Sequence, residues 1–463
     1  MPRGLGDWFR DRDRPNVVEL GWWESAQQGR WTMTCLPAQH WSRRLGQGTN
    51  ETLWCSWLLE SGDYRYFFAG ALLSNVGSWT QTVALGWVIY ALTHSSSTLG
   101  VVNFLSGIPI IFLTLFAGSL VDHADRRVLL LWAQVLLMIQ AIAFAYLNQS
   151  GGMSIPWVYG LTLAGGVISA LAMPAWQATV PNLVPRKSLL NAVALSSAQF
   201  NAARLLGPMV TGLIMALFTR NETLGITMVF SINAASFLFV IYALAIIKPR
   251  QEIMERGSRS FRETVGAGLT YVRHHPHVGF HLLSASMLTI FGTPFMTLLP
   301  AIAVERLGSG STGYSGLMVF NGLGALIGAL AVASLPRTVR RERIIRLSLG
   351  VMAAGLIALS FSHDYVLSCA LMVLMGAAFL AAVSSINTNV QVAVPDELRG
   401  RVMALFVISF MGMMPFGALG FGWLGDRIGA SEAVLVGAVV LLAWALFLAL
   451  RPRVLCPGDT EAC

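Results

Sequence analysis

The sequence predicts an all-α membrane protein of twelve transmembrane helices arranged as two six-helix halves. Three observations carry that expectation. First, 55% of the 463 residues are hydrophobic and only 12% charged, and the mean hydropathy is +0.63. Soluble domains do not have that balance. Second, uncharged spans run over 67–121, 128–185, 205–219, 223–247, 278–304, 307–336, 347–363, 365–395, 402–425 and 433–450. The first two are too long for one crossing, and Thr93–Thr98 and Asn148–Pro156 split each into a pair. Third, with the N-terminus taken as cytoplasmic, 27 of the 31 Lys and Arg fall in the tails or in loops on that same side. Arg220, Arg306 and Arg427 lie on the other side and Arg204 lies within a crossing. A bias of that size predicts that both chain ends are cytoplasmic. The net charge of +8 is therefore topology, and nucleic acid is not an expected partner.

In chain order, residues 1–62 are polar and carry seven tryptophans without a sustained helical or strand period. They read as a cytoplasmic extension, either unfolded or resting its tryptophans at the lipid headgroups. No secretory signal precedes the first crossing. Crossing 1 (66–91) carries Asn75, Trp79 and Thr82 at i, i+4 and i+7, so they share one face. Crossings 2 (98–121) and 3 (128–147) flank a charged hinge, Gly118-Ser-Leu-Val-Asp122-His-Ala-Asp125-Arg126-Arg127. There a glycine permits close approach of a neighbouring helix, and Asp122 is placed to accept hydrogen bonds from a helix N-terminus. Crossing 4 (156–180) ends in Met173-Pro-Ala-Trp176-Gln177-Ala-Thr-Val-Pro181, crossing 5 (188–218) holds Arg204 and Gly207-Pro208-Met-Val-Thr-Gly212, and crossing 6 runs over 224–247.

A basic linker, residues 248–277, divides the six-helix bundle 63–247 from a second bundle, 278–450, and a tail, 451–463, follows. Within the linker, 261–272 reads as an amphipathic surface helix. Crossings 7 to 12 span 278–304, 312–335, 344–362, 365–393, 401–424 and 432–450. Gln177-Ala-Thr-Val-Pro181 after crossing 4 recurs as Gln391-Val-Ala-Val-Pro395 after crossing 10, as a parallel duplication of the halves would produce. Gly422-Trp-Leu-Gly-Asp426-Arg-Ile-Gly429 lies at the far end of crossing 11 and reads as a glycine-rich helix exit rather than a second gate.

Several chemistries are not supported. The five cysteines are scattered and odd in number, so neither a disulfide framework nor a metal pair is expected. His274, His275, His277 and His281 surround a proline, have no adjacent carboxylate or thiol, and read as linker histidines at a membrane surface rather than a metal site. No phosphate-binding loop or nucleophile–base set appears, so the chain is not expected to be an enzyme or to need a cofactor. None of the 23 acidic residues lies in mid-membrane, where a proton-coupled carrier usually holds a carboxylate. Arg204 is the one formal charge in a crossing. It reads either as a binder of anionic groups or as an arginine paired with carbonyls, Gln199, Asn201 or a loop carboxylate.

The hinge resembles the signature loop G-x-L-A-D-R-x-G-R-R of the major facilitator superfamily, with His123 and Asp125 as departures. Ser74-Asn-Val-Gly-Ser-Trp79, Arg204-Leu-Leu-Gly-Pro208 and Val394-Pro-Asp-Glu-Leu-Arg-Gly-Arg401 resemble the branch that contains the enterobactin exporter and macrolide-efflux proteins. The resemblance covers about residues 63–450. It implies a monomeric exporter of siderophores or hydrophobic antibiotics in the bacterial inner membrane, driven by proton antiport through alternating access. By the same resemblance, Gly118, Asp122, Asp125, Arg126 and Arg127 form the gate that latches the halves on the cytoplasmic side. Arg204, Gly207, Pro208 and Gly212 form a shortened antiporter motif. Crossings 1, 4, 7 and 10 line the pathway with Asn75, Trp79, Gln81, Met173, Trp176, Gln177, Phe291, Phe295, Ser385 and Asn389. Uptake or lipid flipping on the same fold is the alternative within transport, and a non-transporting membrane sensor the alternative outside it.

Overall fold

The computed structural model describes residues 26–28, 31–33, 62–123, 125–185, 188–247, 261–336 and 339–456; for 26–28, 31–33, 114–123, 190 and 261–265 it describes the backbone path alone. The chain forms two compact units, Met1–Trp57 and Leu58–Cys463. In the first, the described residues are an antiparallel pair, β1 (Ala26–Gln28) and β2 (Trp31–Met33), with Gln27 opposite Thr32. The rest of the expected extension lies outside the described residues.

The second unit is helical throughout its described length. Its first half comprises α1 (Asp63–Thr93), α2 (Ser96–His123), α3 (Arg126–Gln149), α4 (Ile155–Leu183), α5 (Leu189–Leu217) and α6 (Glu222–Ile246). The linker helix α7 (Phe261–His274) follows, with apolar and polar residues on opposite faces as expected. The second half comprises α8 (Pro276–Glu305), α9 (Ser311–Ser334), α10 (Arg341–Phe361), α11 (Tyr365–Ala393), α12 (Asp396–Ile428) and α13 (Ala430–Leu450). Eleven of these are long and apolar enough to cross a membrane. The twelfth crossing is α1, which spans 31 residues and is diluted by Ser74, Asn75, Ser78, Gln81 and Thr82. Large apolar side chains such as Leu213, Leu217, Leu347, Val366 and Leu450 point outward, which suits lipid as the surrounding solvent.

Helix ends follow local chemistry. Asn221 caps α6 by accepting from Leu224 N at 3.0 Å, and Asp364 caps α11 by accepting from Leu367 N at 2.6 Å. The turn after α1 needs a left-handed residue, and His94 supplies it at φ 47°. Two crossings widen into a single π-type turn, α8 at Leu288–Gly292 and α12 at Ile408–Gly412. A proline follows each, Pro294 and Pro415, and the missing N–H leaves the ladder free to open there.

The halves pack alike. α2 lies on α4 as α9 lies on α11, and α3 lies on α6 as α10 lies on α13. The close contacts use glycine where backbones meet: a Cβ on Gly166 would sit 2.7 Å from Ser106 O, and one on Gly324 would sit 2.0 Å from Val373 O. Between the halves the main contacts are α2 with α12 and α5 with α9. Helix ends alternate between two faces. One carries the basic loops after α2, α4, α6, α9 and α11 and is called the basic face; the other is the opposite face.

Candidate functional site

Contacts between the halves are concentrated on the opposite face. Asp426, at the end of α12, accepts from Ser95 Oγ at 2.6 Å, Ser96 N at 2.6 Å and Ser97 N at 3.1 Å, and so caps the N-terminus of α2 from the other half. Carboxylates are favoured there because the first N–H groups of a helix lack partners and its dipole is positive. Expected to be a mere helix exit, the Gly422–Gly429 run is instead an inter-half contact. Gly422 lies against Gly100, with a Cβ on Gly422 only 2.5 Å from Ser96 O. Its aspartate reaches residues some 330 positions away, a pairing no local pattern announces. Alongside it, Tyr90 donates to Glu305 Oε1 at 2.6 Å and Asn103 Nδ2 donates to Thr297 Oγ1 at 3.2 Å. Nearer the basic face, no side-chain hydrogen bond joins the halves among the described residues.

The centre of the interface is built around Arg204. One guanidinium nitrogen donates to Asn321 Oδ1 of α9 at 2.9 Å. The guanidinium carbon lies 5.9 Å from the Trp79 ring centre on α1 and 5.2 Å from that of Phe379 on α11. These distances lie within cation–π reach. The expected partners, Gln199, Asn201 or a loop carboxylate, are not the ones found. Asn201 Nδ2 is turned to Ser197 O at 2.9 Å on its own helix, and the tie runs to the other half. Asn321 is a lone amide in the middle of an apolar helix, and that was the available signal for it. Gly207 brings α5 onto α1, since a Cβ there would sit 2.3 Å from the Cβ of Trp79, and Gly212 meets Ser315 of α9 at 3.3 Å. Pro208, buried between them, withholds its N–H from the ladder. The motif thus gives close packing on two sides.

The expected pathway residues divide. Trp79 lies at the centre, edge-on to Phe200 with ring centres 6.1 Å apart. Phe291 meets Phe421 of α12 edge-on at 6.0 Å. Asn75 and Met173 are partly exposed and Gln177 is exposed. Four others are engaged within their own half. Gln81 Oε1 accepts from Asn233 Nδ2 of α6 at 2.7 Å, and Trp176 packs on Phe67 at 4.9 Å. Phe295 is core, at 4% exposure. Asn389 Nδ2 donates both to His281 Nε2 and to Glu342 Oε1 at 3.0 Å. Ser385 is fully buried and its hydroxyl has no partner.

His281 corrects a second expectation. It is 3% exposed, inside α8 rather than on a membrane surface. Its Nδ1 lies 2.7 Å from His277 O, so the proton sits on Nδ1 and Nε2 is left to accept from Asn389.

At the hinge, Asp125 is the N-cap of α3, accepting from Arg127 N at 2.9 Å and Val128 N at 3.3 Å. Arg127 donates from Nε to Leu244 O at 2.6 Å and also to Ala245 O, binding the carbonyl end of α6 in its own half. Arg126 is half-buried beside it. Gly118 and Asp122 lie on the last turns of α2, and their side chains are outside the described residues.

A family model described as transmembrane secretion effector matches residues 58–460, which is the whole helical unit. The chain belongs to the transmembrane secretion effector family. This secretion-effector chain is therefore a multi-pass membrane transporter of the major facilitator type and not an enzyme. A model for a β-lactamase superfamily domain also matches residues 2–95, a stretch that ends just beyond α1. The staphyloferrin A transporter of Staphylococcus aureus is 24% identical over 79% of this chain and 90% of its own length. The enterobactin exporter EntS of Escherichia coli is 27% identical over 80% of this chain and 88% of its own. Among solved structures, the nucleoside transporter NupG superposes with TM-score 0.65 at 12% identity, covering 85% of this chain and 99% of that one. A bacterial Spinster homologue in an inward-facing, occupied conformation superposes with TM-score 0.66 at 14% identity, covering 88% and 98%. At such identities these structures show the fold alone.

Proposed function

We propose that this transporter exports small amphipathic molecules, siderophores or hydrophobic antibiotics, across the bacterial inner membrane by alternating access in exchange for protons, with both chain ends in the cytoplasm. The observation that carries this reading is the one-sided closure of the interface. Asp426 and Glu305 hold the halves together on one face, and among the described residues the inter-half side-chain hydrogen bonds stop short of the basic face. A protein in that state loads from the cytoplasm. The two siderophore transporters among its relatives support the cargo class.

In the opposite state the Asp426 cap breaks and the hinge closes. Gly118-x-x-x-Asp122 at the end of α2 has the spacing of Gly422-x-x-x-Asp426 at the end of α12, so each aspartate would serve the N-terminus of the other helix in alternate states. Arg126 adds a positive partner for Asp396 and Glu397 in the first turn of α12, while Arg127 stays with α6. The π-type turns of α8 and α12 supply the bend between states. They face each other: Ser286 Oγ donates to Ser409 O at 3.2 Å, and a Cβ on Gly417 would meet Ile290 O at 3.0 Å.

Proton coupling is assigned to His281. Protonating Nε2 would set an N–H against the Asn389 amide N–H and force that amide to turn, moving its link to Glu342. Inverted vesicles test the whole reading. Energised vesicles should accumulate a siderophore or macrolide, and each pulse of substrate should be matched by a proton flux in the opposite sense. Accumulation in right-side-out vesicles instead would replace export with uptake.

A further inference from the structure

Arg204 is incompletely matched for a charge held between two halves of a membrane protein. A guanidinium offers five N–H donors. Here one nitrogen reaches Asn321 Oδ1, while Nε is buried without a hydrogen-bond partner. No ion pair ties Arg204 to a carboxylate among the described residues. Arg204 is part-buried in the middle of its helix without a counter-charge, which is costly, and membrane proteins keep such groups where function needs them.

The surroundings indicate what is missing. Trp79, Arg204, Asn321 and Phe379 come from α1, α5, α9 and α11, two helices from each half, so the cation sits on the line along which the halves separate. Aromatic rings continue from it in one direction. Trp79 is followed by Phe200 at 6.1 Å, and Phe379 by Phe410 at 6.1 Å and then Phe406 at 5.9 Å. Phe200 and Phe406 lie on the stretches of α5 and α12 that begin at the basic face. On the opposite-face side the interface is shut by Gly212 against Ser315. The result is a row of aromatic rings on the basic-face side of one unneutralised cation.

We infer that Arg204 is the seat for a carboxylate of the transported molecule, carried on a flat unsaturated body. This rests on the export reading above and narrows its cargo to acidic amphiphiles. The anion takes the Nε–H and a second guanidinium N–H, the fork geometry that suits a carboxylate. The body lies against the Trp79 and Phe200 rings, whose centres are 6.1 Å apart. The guanidinium keeps a further N–H for the mid-membrane bond to Asn321, so the seat lies at the joint between α5 and α9. The ligand is thereby held beside the contact that must part when the halves swing.

The test uses the full chain in phosphatidylcholine nanodiscs and three probes of one shape: naphthoate, its methyl ester and naphthylmethylammonium. Binding is read by equilibrium dialysis. Naphthoate should bind roughly tenfold or more tightly than the ester, the size of one charge-assisted hydrogen bond. Arg204→Gln should erase that difference, and Arg204→Lys should retain part of it. Equal binding of acid and ester by the unmodified protein, a comparison that needs no variant to fold, overturns the inference. So does discrimination that survives Arg204→Gln, or displacement of naphthoate by phosphatidylglycerol at bilayer concentration, which would make a lipid headgroup the occupant. If the ester and ammonium probes are bound as well as the acid, and energised inverted vesicles accumulate all three, the export reading stands and the anionic seat falls. If no probe is bound in nanodiscs and none is accumulated by the vesicles, both fall.

Discussion

Replacing Asp426 by asparagine should shift the protein toward the state open on the opposite face. The carboxylate now offers Oδ1 to Ser96 N and Oδ2 to both Ser95 Oγ and Ser97 N. Asparagine keeps one acceptor, but its amide N–H₂ would face the Ser97 N–H, and the charge on the α2 dipole is lost. Losing a cap contact costs about 0.5–2 kcal/mol, and losing the charge–dipole interaction costs about 0.3–1 kcal/mol. Asp426 is exposed, so solvent screening reduces both. A total near 1.4 kcal/mol corresponds to a roughly tenfold change in the ratio of the two states. The measurement is a spin-label distance distribution between Thr223→Cys in the first half and Gly310→Cys in the second, both exposed on that face. Cys35, Cys55, Cys369, Cys456 and Cys463 are first replaced by serine. The long-distance population should grow severalfold in Asp426→Asn. An unchanged distribution would show that the contact carries no weight in the equilibrium between states.

Asp122→Asn should abolish efflux at normal membrane abundance; full efflux by a stably inserted variant removes the hinge from the gate. Gly207→Ala places a methyl 2.3 Å from the Trp79 Cβ and should cost about 1–3 kcal/mol by overpacking, read as a lower thermal midpoint in detergent. Gly350→Ala, where a Cβ meets nothing within 4 Å, serves as the neutral comparison. His281→Gln should uncouple substrate efflux from proton flux while leaving substrate binding in place, and vesicles that still exchange the two at the original ratio would move the coupling group elsewhere. Removing residues 1–57, a compact unit of its own, should leave transport by the helical unit intact, and loss of efflux by a correctly inserted truncation would give that unit a part in the cycle.

How far the sequence reaches is clear from particular helices. The crossing expected over 156–180 is the helix Ile155–Leu183, and the surface helix expected over 261–272 is Phe261–His274. Crossing 11 was expected from 401 and begins at Asp396, because an acidic first turn after Pro395 starts a helix before the chain becomes apolar. Asn75 and Trp79 share a face as the helical period requires. The period does not say which neighbour that face meets, so Gln81, two residues on from Trp79, was assigned to the pathway although it is bound to Asn233.

By itself, therefore, the sequence determined which segments are helices long and apolar enough to cross a bilayer, and that they form two similar halves. These properties are written in runs of about twenty residues and in local charge, and a bilayer enforces them segment by segment. Only the tertiary structure decided which polar groups answer one another. Arg204 and Asn321, Asp426 and Ser96, and Asn389 and His281 are each more than 100 positions apart. The reason is physical: inside lipid a buried polar group takes whichever partner helix packing delivers, and that is a property of the assembled bundle rather than of any one stretch of chain.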